Sequence, residues 1–139
     1  MLTRVLFALV VTCGLTVAAS AENASVVKLG IAVHEVTQEE LGKGAPPVPK
    51  FNTPALAYAL LANLKKGDAV EVALVNETKA LLTNSAKLDT DQATFLLQAG
   101  KRGVPAGGWP QEWKYSASVK VTRDGKTLLE QKSDPIPFQ

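Results

Sequence analysis

The 139-residue chain is poor in the side chains that most often carry chemistry. It has one cysteine, Cys13, and one histidine, His34. A single cysteine excludes an internal disulfide framework and a Cys-based zinc site. A single imidazole supplies poorly both a His-rich zinc centre and Ser-His-Asp catalysis. Long apolar runs are missing too. The run Val5–Ala19 has fifteen residues, short of the roughly 18–20 that cross a bilayer as a helix. Charge of one sign is also lacking, with 15 Lys and Arg against 13 Asp and Glu. That balance gives no long-range field for nucleic acid or anionic lipid. The pairs Lys65-Lys66 and Lys101-Arg102 are isolated and read as a solvated turn and loop.

What is present begins with an export signal. Arg4 is followed by the apolar run, and Ala19-Ser20-Ala21 places small residues where a signal peptidase reads. Cleavage after Ala21 is expected, leaving Glu22–Gln139 as one domain with no stable membrane span. That segment holds 14 basic and 13 acidic residues and no thiol. A secreted domain of this size without disulfides must rest on its core, which is feasible at this length. The lack of disulfides points to a bacterial periplasmic or extracellular protein.

Within residues 22–139 the dominant period is two. Val27, Leu29, Ile31 and Val33 alternate with Lys28, Gly30, Ala32 and His34, predicting a half-buried strand. Residues 37–54, with two Gly and four Pro, read as a long loop or edge crossing. Residues 53–67 are ambiguous. Thr53 as N-cap, Pro54 at the first helical position, Leu56, Leu60 and Leu64 four apart, and Gly67 at the end favour a helix over 54–66. Alternating faces favour a strand. Val70, Val72 and Leu74, then Lys79–Leu88, then Ala93, Phe95 and Leu97 read as further strands. Tyr115, Ala117, Val119 and Val121 alternate most cleanly, and Asp124-Gly125 is a two-residue hairpin signal. Gly100–Gly108 lacks the order of a phosphate-binding loop and reads as a tight connection.

From Leu64 onward the pattern resembles exported bacterial immunoglobulin-like or fibronectin-III-like modules. The matching positions are Lys66-Gly67-Asp68, Gly108-Trp109-Pro110, the Tyr115–Val121 strand, Asp124-Gly125 and Phe138. The resemblance covers residues 53–138 and implies an all-β, antiparallel immunoglobulin-like sandwich of about seven strands. It implies a strand, not a helix, over 54–64; the alternative is an α+β fold with a helix at 54–66. It carries over no catalytic residue.

Candidate sites are few. Trp109, Trp113 and Tyr115 fall within seven residues and could stack on a sugar or apolar ligand; alternatively Trp109 plugs the sandwich end and Tyr115 sits in the core. Asp89 and Asp91 could pair as hydrolytic carboxylates, though an i, i+2 pair in a turn usually caps it. His34 reads as an edge histidine whose side chain points opposite to that of Glu35. No cofactor, metal site or catalytic residue is expected. The leading expectation is a non-enzymatic exported module that binds or scaffolds an envelope protein or glycan by strand addition at an open sheet edge, guarded or presented by the Pro-rich segment 46–54. The alternative is a small-ligand or glycan-binding module using the Trp109/Trp113 loop, and a carboxylate-based hydrolase ranks last.

Overall fold

A computed structural model describes residues 23–139 apart from 78 and 102. The expected signal peptide, 1–21, lies outside the described residues. The chain is all-β. Its strands are β1 (Ser25–Ala32), β2 (Ala55–Leu64), β3 (Ala69–Val75), β4 (Ala80–Lys87), β5 (Gln92–Lys101), β6 (Lys114–Arg123), β7 (Lys126–Lys132) and β8 (Ile136–Pro137). One sheet has the order β1-β2-β5. The other has the order β4-β3-β6-β7, with β8 also paired to β6. The described pairings are antiparallel. The sheets pack face to face as a sandwich around Leu61, Leu64, Val70, Val72, Leu74, Tyr115, Val119, Val121 and Phe138.

Residues 55–64 are therefore a strand, and the helical alternative is overturned. The reason lies on the outer face of the smaller sheet. Inward, Ala55, Ala57, Ala59 and Leu61 join the main core. Outward, Tyr58 and Leu60 pack with Ala32, Val36 and Leu41 in a second cluster. A strand buried on both faces reads as a continuous apolar run and loses its period of two. Asn63 then takes a left-handed conformation (φ 62°). This shifts the alternation by one and turns Leu64 inward (1% exposed).

The covering layer comes from the segment read as loop. Residues 37–54 are not all loop, because a short helix α1 (Gln38–Lys43) interrupts them. Thr37 and Glu40 form a reciprocal capping box, and Leu41 is the buried anchor. Gln98 of β5 holds the entry to this layer. Its carboxamide accepts from Val36 N–H (2.8 Å) and donates to Val36 C=O (2.9 Å). It acts as a one-residue mimic of a strand neighbour.

Strand β1 also departs from the simple alternation. Its pairing with β2 shifts between Val26 and Lys28. Val27 is the extra residue and is half exposed. Val26, Leu29 and Ile31 face the main core. Val33 and His34 lie beyond the end of β1, so the expected strand geometry of His34 and Glu35 does not hold. Asp124 (φ 53°) and Gly125 (φ 79°) form the expected tight hairpin between β6 and β7.

Two turns of the recognised pattern meet at one pole. Asp68 N–H donates to Lys65 C=O (3.0 Å), with Gly67 at φ 90°, the value a type II turn demands. The Asp68 carboxylate is fully buried. It accepts from Lys65 N–H (2.8 Å) and takes a two-pronged bond from Arg123 Nε and Nη2 (2.7 and 2.8 Å). The Arg123 hydrogen bond, first among the causes, holds its carboxyl below the usual carboxylate range.

Candidate functional site

The aromatic end of the sandwich is built around Trp109. Gly108 (φ 83°) precedes it, and a β-carbon there would meet Phe51 O at 2.7 Å. Glycine lets the loop approach closely enough for Trp109 N–H to donate to Phe51 C=O (2.8 Å). The indole Nε1–H donates to Thr53 C=O (2.8 Å). The Trp109 ring stands edge-on to Tyr115 and Phe138, with centroids 6.0 and 5.8 Å apart. Tyr115 and Phe138 are stacked at 4.0 Å. The Tyr115 hydroxyl donates back to Pro110 C=O (2.7 Å).

The three aromatics singled out in the sequence therefore differ in accessibility. Trp109 is 7% exposed and Tyr115 is fully buried, whereas Trp113 is 37% exposed and tilted against Tyr115 at 6.3 Å. Only Trp113 among them offers a ring to solvent. A groove of about 290 Å³ is lined by Leu81, Leu82, Gly103, Val104, Pro105 and Trp109, and Trp113 is not among its lining residues. Its apolar lining from β4 and the glycine-rich loop was not singled out in the sequence.

Burial pushes the Tyr115 phenol up to about 12, with Glu112 adding to the shift. The unfolded chain ionises this group near 10, so stability falls as pH rises above that value. Tyr115→Phe orphans the Pro110 carbonyl and is expected to cost about 1–2 kcal/mol at neutral pH. It also removes Tyr115's share of the alkaline loss, leaving that of Tyr58, whose pKa burial likewise raises. Denaturant melts of both proteins at neutral and alkaline pH measure this; parallel alkaline slopes would show that Tyr115 contributes none.

The remaining candidates are dispersed. Asp91 accepts from Lys66 N–H (2.8 Å) and so caps the turn before β3. His34 Nδ1 lies 2.8 Å from the carbonyl oxygen of Glu35 and is exposed. Among the described residues, no three of His, Cys, Asp and Glu converge as a metal-binding group. The Pro-rich segment packs with the C-terminal segment, where Pro49 is fully buried and Phe51 N–H donates to Gln139 C=O (3.4 Å).

The sheet edges differ in character. Asn84 of β4 donates to Gln98 C=O of β5 (2.8 Å), bridging the two sheets on one side. On the other side β1 and β7 end their sheets. Pairing irregularities fall in β1, β4 and β7, where Val27, Leu81 and Leu128 are the extra residues. Such bulges are a common way to blunt an edge. In β7 the irregularity is confined to the start. From Leu129 to Lys132 the register with β6 is regular, ending on Ser133 N–H donating to Ala117 C=O (2.8 Å). Antiparallel bonding alternates, so Ser133, Gln131 and Leu129 direct their backbone groups to β6. Glu130 and Lys132 direct theirs away from the sheet. Both are exposed, and β7 is largely exposed along its length. No protein-family model matches the chain, and no curated protein matches its sequence.

Proposed function

We propose that the chain is a non-enzymatic exported module of the immunoglobulin-like or fibronectin-III-like kind, which binds or scaffolds another component of the bacterial cell envelope. The observation that carries this reading is the edge of β7, where the backbone groups of Glu130 and Lys132 face solvent beside a regular stretch of sheet. An extended segment of a partner would satisfy those groups by strand addition. The Tyr115 bond to the backbone five residues upstream, at the start of the sixth strand, supports the immunoglobulin-like affinity. So does the division of strands between the two sheets.

Glu130→Pro tests the reading. Proline removes an outward donor and leaves the bonds from β7 to β6 in place. Cross-linked capture from an envelope extract is expected to lose its partner in this variant while the thermal midpoint stays close to that of the parent. The groove beside Trp109 supports a second reading, a small apolar or glycan ligand held against Leu81, Leu82, Val104 and Trp109. Such binding would alter tryptophan fluorescence and be indifferent to Glu130→Pro.

A further inference from the structure

We infer that the β7 edge is complementary to a second copy of itself, so that two chains join their larger sheets across a two-fold axis at Gln131. The inference rests on the reading of β7 as an edge open to strand addition: a second copy occupies it in the purified protein and competes there with the envelope segment.

The outward backbone groups belong to residues 130 and 132, so an antiparallel partner must present its own even-numbered residues opposite them. The bulge at Leu128 ends the regular edge on one side. The strand itself ends at Lys132 on the other. Three symmetric registers set the outward residues of this stretch opposite one another. One sets Glu130 against Glu130 of the other copy, and another sets Lys132 against Lys132. Like charges directly opposite are destabilising. The third sets Glu130 against Lys132 of the other copy, and the symmetry repeats the pair.

The neighbouring strand supports this choice. Glu130 and Lys132 lie on the outer face, since their partners in β6 are Lys120 and Ser118 while Val119 and Val121 face the core. In the favoured register each Glu130 has Lys120 of its own chain on one side and Lys132 of the other copy on the other side. The signs then alternate across the joined sheet. A two-fold contact uses the same patch on both chains, and this patch is complementary to itself in one register only.

Sedimentation of the purified protein over a range of concentrations tests the pairing. The parent chain is expected to self-associate. Glu130→Lys alone and Lys132→Glu alone each create two like-charge oppositions and are expected to weaken the dimer about tenfold or more. The double variant restores opposite charges and is expected to recover the parent's affinity to within about threefold. Lys120 faces a lysine in both Glu130→Lys and the double variant, so its repulsion cannot account for a difference between those two. A parent chain that is monomeric throughout, or a double variant no better than the singles while equally folded, overturns the pairing. A monomer that still loses its envelope partner on Glu130→Pro would overturn self-pairing and leave strand addition standing. Envelope capture indifferent to Glu130→Pro would count against strand addition itself.

Discussion

Arg123→Ala is expected to destabilise the domain by about 2–3 kcal/mol, because it takes the two-pronged counter-ion from the Asp68 carboxylate. Asp68 is wholly inaccessible to water. With Arg123 gone its carboxylate keeps only the Lys65 N–H from among the bonds described. The pH dependence gives a sharper signature than the magnitude. In the parent chain the native pKa of Asp68 is depressed. Its stabilisation is complete above the unfolded value near 3.9 and is lost as pH falls through the native one. In the variant the largest cause of the depression is gone, so the native pKa moves up toward the unfolded value. The penalty of the substitution then shrinks as pH falls, since a protonated Asp68 no longer needs the cation. The stability gap between parent and variant should therefore be wide at neutral pH and narrow on acidification. Denaturant titrations at several pH values measure the gap, and a constant gap would show that the pair is not its source.

Trp109→Ala is expected to cost about 3–5 kcal/mol through loss of packing at the aromatic end. The ring stands edge-on to the stacked pair Tyr115 and Phe138, and its N–H satisfies Thr53 C=O. Trp109→Phe preserves much of the packing and forfeits that bond, so about 1–2 kcal/mol is expected. Chemical denaturation of both variants ranks the two contributions. Near-equal losses would mean that the hydrogen bond, rather than the ring volume, holds the loop of residues 50–54 against the sandwich.

Strands with one wet face were legible in the sequence. Tyr115, Ala117, Val119 and Val121 alternate with polar neighbours, and all four are buried in β6. The Asp124-Gly125 hairpin was legible for a local reason, because few residues adopt two successive positive φ values. Strand β2 was ambiguous in its own residues and read as a strand through the resemblance, since the layer that buries its outer face is supplied by residues 33–41 and pinned by Gln98, 62 positions from Val36. The Thr37/Glu40 capping box was written in the chain, yet a six-residue helix beside a proline cluster gave little periodicity to detect. The Lys66-Gly67-Asp68 turn was visible as a motif, but its ion-pair partner lies 55 residues away. Of the candidate aromatics, the sequence located the cluster without separating the two enclosed rings from the accessible Trp113. The edge presented by Glu130 and Lys132 could not be read at all, because outward and inward backbone groups are distinguished only once the register with β6 is known.

The proposal of a binding module stands on that edge, and envelope capture by the parent chain and by Glu130→Pro, compared at equal thermal stability, tests it most directly. The expected result is one cross-linked partner recovered with the parent and lost with the variant. Equal recovery of the same partner by both proteins would contradict strand addition at β7.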